Sequence, residues 1–382
     1  MPRITLGRTL GRTLDRSHRR TARPASRRPR AALAAAALSL MIAACGGGQE
    51  APAAPSPSTP TPAPAPEAAV DPITIVATTS ILGDLVAELI GSDGTVKVLI
   101  PSGVDPHGYQ ASAADAAALR GADLVIANGL LLEEGLLAAL DAAVADGVRV
   151  LTVGDAVDPL AFVEFEDKDD DHDHGHGHSH GHSHGDDAHD DDDDHDDHEH
   201  GEFDPHFWWD PMRTATAVEL IATTLAELRP DTDWAARAAA YNTELMAVHD
   251  EMVALFATIP AAQRRIVTNH DSLGYLADRF GFEIIGTVIP GATTMAATNP
   301  RAFARLIDLI VAEGVSVVFA ENTDSTVLAE QLASQAVGRG DVDVRVVRLY
   351  TDALGEPGSG AETYLGMLRT SAQLITTALT SS

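Results

Sequence analysis

The residues best suited to chemistry are three histidines and one carboxylate set far apart along the chain. His206 lies in Asp204-Pro205-His206-Phe207-Trp208-Trp209-Asp210-Pro211, which places two of the three tryptophans between two Asp-Pro pairs. A lone histidine in an apolar run is ordinarily a core residue. This one follows a run too polar to fold and has Trp208 and Trp209 beside it. We read it as a buried metal ligand. His107 in Asp105-Pro106-His107-Gly108-Tyr109, His270 in Asn269-His270-Asp271-Ser272 and Asp352 in Tyr350-Thr351-Asp352-Ala353 complete the set, and Glu321 in Phe319-Ala320-Glu321-Asn322 stands at the expected end of a strand. Three imidazoles and a carboxylate suit tetrahedral zinc. Neutral imidazole also binds copper, nickel and iron, so ligand type alone leaves the metal open.

Such distant residues meet only if the fold gathers them. From Ile73 onward, short β-rich runs alternate with helical ones. Strands are expected over 73–77, 96–100, 123–127 and 148–153, with helices over 81–90, 112–120 and 133–142. The same order returns later, with strands over 265–268, 283–288, 315–320 and 344–350 and helices over 272–280, 300–313, 326–337 and 362–379. Alternating strands and helices predict parallel βαβ units. The repeat is one of element order, without residue-level similarity. Between the halves, 211–228 and 231–259 read as amphipathic helices. The second carries Trp234, Ala238, Tyr241, Leu245, Val248, Met252 and Leu255 at spacings of three and four.

The expected fold is therefore α/β. It has two lobes, each a roughly four-stranded parallel sheet with flanking helices, over 72–230 and 260–382. One long rigid helix over 231–259 joins them. In open α/β sheets ligands bind beyond the carboxyl ends of the strands. His107 follows the second strand, His206 the fourth, His270 the first strand of the second half and Asp352 its last. If the sheets face each other, these groups converge in the cleft.

Residues 1–44 read as an export signal, with ten arginines and no lysine in the first 30 followed by the apolar run 31–44. Ile42-Ala43-Ala44-Cys45 resembles a bacterial lipobox, which makes Cys45 the expected site of lipidation. Cys45 is the only cysteine, so an intrachain disulfide is impossible. Residues 45–71, rich in Pro and Ala, read as a tether reaching at most roughly 75 Å at about 3.1 Å per residue. Beyond residue 44 the chain holds 16 basic and 55 acidic residues, a net charge of -39. Such a balance argues against nucleic acid and anionic membrane surfaces as partners and suits a protein that attracts cations.

Residues 166–202 hold 11 of the 16 histidines and 17 acidic residues. The run cannot bury a core and is expected to be disordered. Its histidines, His172, His174, His176, His178, His180, His182, His184, His189, His195, His198 and His200, offer flexible imidazole pairs suited to several weak zinc sites. They lack the fixed geometry of a transport site.

The segments around His107, His206, His270 and Asp352, together with Ser272-Leu273-Gly274-Tyr275 and Leu354-Gly355, resemble the four metal-ligand segments of the zinc/manganese solute-binding proteins of bacterial ABC transporters. The resemblance covers roughly residues 72–380. It implies metal ligands at His107, His206, His270 and Asp352, with Glu321 outside the coordination shell or as an alternative ligand. Manganese members usually carry glutamate at the third position and zinc members histidine, so His270 favours Zn2+ over Mn2+ as the transported ion. The histidine-rich run before the second segment is also shared by many zinc members. The implied function is an exported, lipid-anchored, monomeric zinc-binding protein. It would deliver Zn2+ to an ABC permease membrane subunit and its ATPase.

Two other functional classes fit parts of the sequence. A secreted zinc enzyme would need an open metal position and a base, for which only Glu321 or Asp271 is available. The chain has no His-Glu-x-x-His, because His198-Glu199-His200 runs into Gly201-Glu202, and no Gly-x-Ser-x-Gly or phosphate loop. A zinc-buffering or adhesin-like surface lipoprotein would share the fold without a permease. A manganese-binding transporter component is the alternative within the same class.

Overall fold

A computed structural model describes residues 72–162, 202–289, 291 and 293–381. The export signal, Cys45, the tether and the eleven histidines of the polar run lie outside the described residues.

The first lobe opens with β1 (Ile73–Thr79), whose residues are almost all buried, as a central parallel strand covered on both faces requires. Thr79 ends the strand and caps α1 (Ser80–Ile90) by accepting from Leu82 N. Then come β2 (Gly94–Ile100), α2 (Ala113–Arg120), β3 (Leu124–Ala127), α3 (Leu137–Ala145) and β4 (Val150–Thr152). Ser112 and Asp115 form a reciprocal capping box at the start of α2. All pairings are parallel, in the order β2-β1-β3-β4.

Two helices lead into the second lobe. In α4 (Pro211–Leu228), Asp210 accepts from Met212 N and Pro211 fills the first turn, where a missing N–H costs nothing. The segment expected over 231–259 forms α5 (Trp234–Ala257), a 24-residue helix of about 36 Å. Its stripe of Trp234, Ala238, Tyr241, Leu245, Val248 and Met252 is buried, while Leu255 is only partly covered and Phe256 takes the deep position instead.

The second lobe repeats the first with β5 (Arg265–Thr268), α6 (Gly274–Phe280), β6 (Glu283–Thr287), α7 (Pro300–Glu313), β7 (Val317–Glu321), α8 (Val327–Arg339), β8 (Arg345–Leu349) and α9 (Tyr364–Thr380). Its order, β6-β5-β7-β8, is again parallel throughout. Asn299 caps α7 from its side chain and Gly314 closes it at φ 63.

Three elements differ from expectation. The segment over 133–142 begins as a single 3-10 turn, Glu134–Leu136, before α3, because the Glu133 side chain is taken up by backbone amides of the preceding turn. The helix expected from 272 starts at Gly274, since Ser272 N turns back to His270 O at 2.9 Å. The last helix does more than flank its own sheet. It packs along α5 and reaches α1, where Asp84 accepts from Tyr364 N at 2.8 Å. One apolar core therefore runs through both lobes along α4, α5 and α9, and smaller cores lie under α7–α8 and α2–α3.

Candidate metal centre

The carboxyl ends of both sheets supply the site. His107 lies in the loop after β2, His206 after β4, His270 just past β5 and Asp352 just past β8. All four are buried, and one donor atom from each falls within 4.8 Å of every other. His206 is the centre of the group. Its Nε2 lies 3.3 Å from His107 Nε2 and 3.2 Å from His270 Nε2. The Asp352 oxygens stand 3.8 Å from His206 Nε2 and 3.6 Å from His270 Nε2. Donors about 2.0–2.1 Å from a tetrahedral ion lie roughly 3.3 Å from one another. The two imidazole pairs that include His206 already have that separation.

The outward nitrogens are treated differently. His206 Nδ1 meets Asp204 Oδ1 at 2.6 Å, and His270 Nδ1 meets Glu321 Oε1. A carboxylate on Nδ1 fixes the ring and leaves Nε2 for a metal. His107 Nδ1 has no hydrogen-bond partner among the described residues, and neither has either oxygen of Asp352 nor Glu321 Oε2. Buried donors and acceptors are normally paired. Two unpaired carboxylate oxygens facing three imidazoles are the chemistry of a cation site.

The protonation pattern divides along the lobes. Burial holds the His107 and His206 imidazoles well below their usual range, reinforced by the neighbouring His270. Burial also works against a charged His270, but the Glu321 and Asp352 carboxylates overcome it and raise the imidazole to about 10. Burial drives Asp352 well above the usual carboxylate range and lifts Asp204 to about 7. Without an ion, a proton on His270 offsets the carboxylates. An arriving cation must displace it.

Long-range bonds hold the ligand segments together. Trp208 Nε1 donates to Thr351 O at 2.7 Å, joining the His206 segment to the residue before Asp352. Tyr364 Oη donates to Trp208 O at 2.5 Å, and Tyr275 Oη donates to Asp204 O at 2.7 Å. Arg279 makes a two-point pair with Asp210 at 2.9 and 2.6 Å. The His107 loop is tied across the cleft by Thr294 Oγ1 to Asp105 Oδ2 at 2.5 Å and by Gly103 N to Leu354 O at 3.1 Å.

The structure thus brings together His107, His206, His270 and Asp352, and it places Glu321 behind His270. Sequence reasoning gave Asp204 no role. The repeated Asp-Pro-His tripeptide was the available signal, since in each copy the aspartate accepts from the histidine N–H at 2.9 Å.

Residues 75–378 match the family profile described as zinc-uptake complex component A, periplasmic. The zinc-binding protein TroA of Treponema pallidum is 27% identical over 82% of this chain and 91% of its own length. The manganese-binding lipoprotein MntA of Halalkalibacterium halodurans is 27% identical over 78% of this chain and 85% of its own. The solved structure of the periplasmic zinc-binding protein TroA from Treponema pallidum superposes with a TM-score of 0.66 at 25% identity, covering 81% of this chain and 99% of that one. The family is non-catalytic, and its members work with an ABC permease and ATPase. The chain belongs to the zinc-uptake complex component A family, and it is an exported, lipid-anchored metal-binding component of an ABC import system for a divalent transition metal.

Proposed function

We propose that the transported ion is Zn2+, held by Nε2 of His107, His206 and His270 and by the Asp352 carboxylate, with Glu321 orienting His270 from outside the coordination shell. The observation that carries this reading is the convergence of three buried imidazoles, with His206 Nε2 at 3.3 and 3.2 Å from the Nε2 atoms of His107 and His270, beside a single unpaired carboxylate. An imidazole-rich set favours zinc, whereas manganese prefers carboxylate, carbonyl and water oxygens. His270 stands where manganese members of the family usually carry glutamate. One relative is named for zinc and another for manganese, so the ligand set rather than kinship supports the choice.

In this reading Cys45 carries the lipid, residues 45–71 are the tether, and the chain works as a monomer, since all four donors come from one chain. The histidines of 166–202 add several weaker zinc sites. They must order themselves around each ion, whereas the cleft presents its donors already placed. Competition titration of the mature chain, with and without 166–202, tests the assignment. One tight zinc that survives the deletion is expected, with manganese displaced by it. Manganese binding that outcompetes zinc would overturn the metal assignment. Loss of the tight site with the deletion would overturn its location.

A further inference from the structure

Among the buried carboxylates of the first lobe, Glu133 touches none of the four donors. Glu133 lies just past β3 and is 1% exposed. A buried carboxylate far from any cation is costly and persists only where donors satisfy it. Glu133 Oε1 accepts from Thr78 Oγ1 at 2.5 Å and from Asn128 N at 2.7 Å, and Oε2 accepts from Gly129 N at 3.1 Å.

The turn it gathers is strained. Gly129, Leu130 and Leu131 follow one another at φ 82, 53 and 61. Consecutive leucines in the left-handed region are costly and survive only where the surroundings over-determine them. The Glu133 bonds supply that determination.

The turn reaches the segments that carry His107 and His206. At its far end Gly135 O accepts from Ala111 N at 3.2 Å, in the loop that carries His107. The approach is so close that a Cβ on Gly135 would lie 2.1 Å from Tyr109 O. At its near end Asn128 Nδ2 donates to Pro205 O at 3.1 Å, the carbonyl that immediately precedes His206. One buried carboxylate thus organises the contacts to both ligand segments of the lobe.

We infer that Glu133 and Asn128 are positioning residues of the metal centre: Glu133 fixes the strained 129–135 turn against the His107 loop, and Asn128 holds the carbonyl before His206, so that together they set the spacing of the two imidazoles. This inference rests on reading His107 and His206 as ligands.

Co2+ is the probe, because its visible d–d bands report ligand geometry directly. The mature chain and its Glu133→Gln, Asn128→Ala and His107→Ala variants receive one equivalent of Co2+. The d–d spectrum, the release rate into excess chelator and the unfolding temperature of the metal-free protein are then measured. Gln places an amide N–H2 where Oε1 or Oε2 must accept, so Glu133→Gln should alter the bands and speed release about 10-fold. Asn128→Ala leaves the Glu133 bonds in place and should alter the bands and speed release by a smaller factor, with the unfolding temperature near that of the parent. His107→Ala should lose the parent spectrum. If Glu133→Gln and Asn128→Ala keep the parent spectrum and release rate, even at a lowered unfolding temperature, the residues are merely structural and the inference is overturned. If Glu133→Gln fails to fold, Asn128→Ala decides alone. If His107→Ala also keeps the parent spectrum, the ligand assignment has failed instead.

Discussion

The two lobes share a sheet order and a parallel topology, yet they bring opposite electrostatics to the cleft. The first supplies His107 and His206, two imidazoles that burial keeps neutral. The second supplies His270 and Asp352 with Glu321 behind them, and there the carboxylates hold a proton on His270 up to about 10. The glutamates just after or at the third strand of each lobe show the same contrast. Glu133 is satisfied by three donors and organises backbone, whereas Glu321 spends one oxygen on His270 and leaves the other unpaired. One fold, used twice, yields a neutral half-site and a proton-bearing one. The ion completes the second by replacing its proton.

Removing the central ligand should have the largest effect. His206 touches both other imidazoles through Nε2, so His206→Ala should weaken tight zinc binding at least about 1,000-fold, well beyond the effect of losing an orienting partner. Calorimetric titration reads it. An unchanged affinity would break the comparison at its root.

The orienting carboxylates separate the lobes more finely. Asp204→Asn and Glu321→Gln should each weaken zinc binding about 10-fold at pH 9, because each loosens the ring behind a ligand. They should differ in protons. At pH 7 zinc should displace at least one proton from the parent, since His270 titrates near 10 without the ion. Apparent affinity should therefore rise with pH from 6 to 9. Glu321→Gln removes the largest of the charges that raise His270, so it should release fewer protons. Asp204→Asn should leave the contribution from His270 unchanged. Titration in buffers of different ionisation enthalpy counts them. Equal loss in both variants would mean that the lobes do not divide the charge as described.

The smallest effect on metal is expected from a half-buried carboxylate away from the cleft. Asp84, on α1, accepts from Tyr364 N of α9, and burial raises it to about 6 from 3.8. The folded chain then holds this proton more tightly than the unfolded one. The group is neutral to stability below about pH 4, and its cost grows until about pH 6 and persists above. At about 1.36 kcal/mol per pKa unit the full cost is at most about 3 kcal/mol. Asp84→Asn keeps an acceptor for Tyr364 and should stabilise the fold by about 1–2 kcal/mol at pH 7–8, with no gain at pH 4 and unchanged zinc affinity. Thermal unfolding across that pH range checks the sign.

Much of this was legible in sequence because it is local. Alternating strands and helices gave the two sheets, and Asn299-Pro300 marked the start of α7 to the residue. Strand ends located the four residues that the fold gathers into one buried cluster. What sequence could not supply were bonds between distant segments. Asp105 and Asp204 sit in identical Asp-Pro-His tripeptides, yet Asp204 turns to its own histidine ring while Asp105 bonds Thr294, 189 positions away. The return of α9 to α1 depends in the same way on Tyr364 finding Asp84 across 280 positions. Glu133 read as a helix start, because nothing nearby announces that its carboxylate caps a strained turn.

The central claim is that one zinc ion sits among three imidazoles and one carboxylate at the junction of a neutral and a proton-bearing half-site. Zinc-edge anomalous diffraction from the chain lacking 166–202 tests it most directly. One peak per chain is predicted, about 2.0–2.1 Å from Nε2 of His107, His206 and His270, with an Asp352 oxygen as the fourth donor. An absent peak, or one bound to Glu321 in place of a histidine, would contradict it.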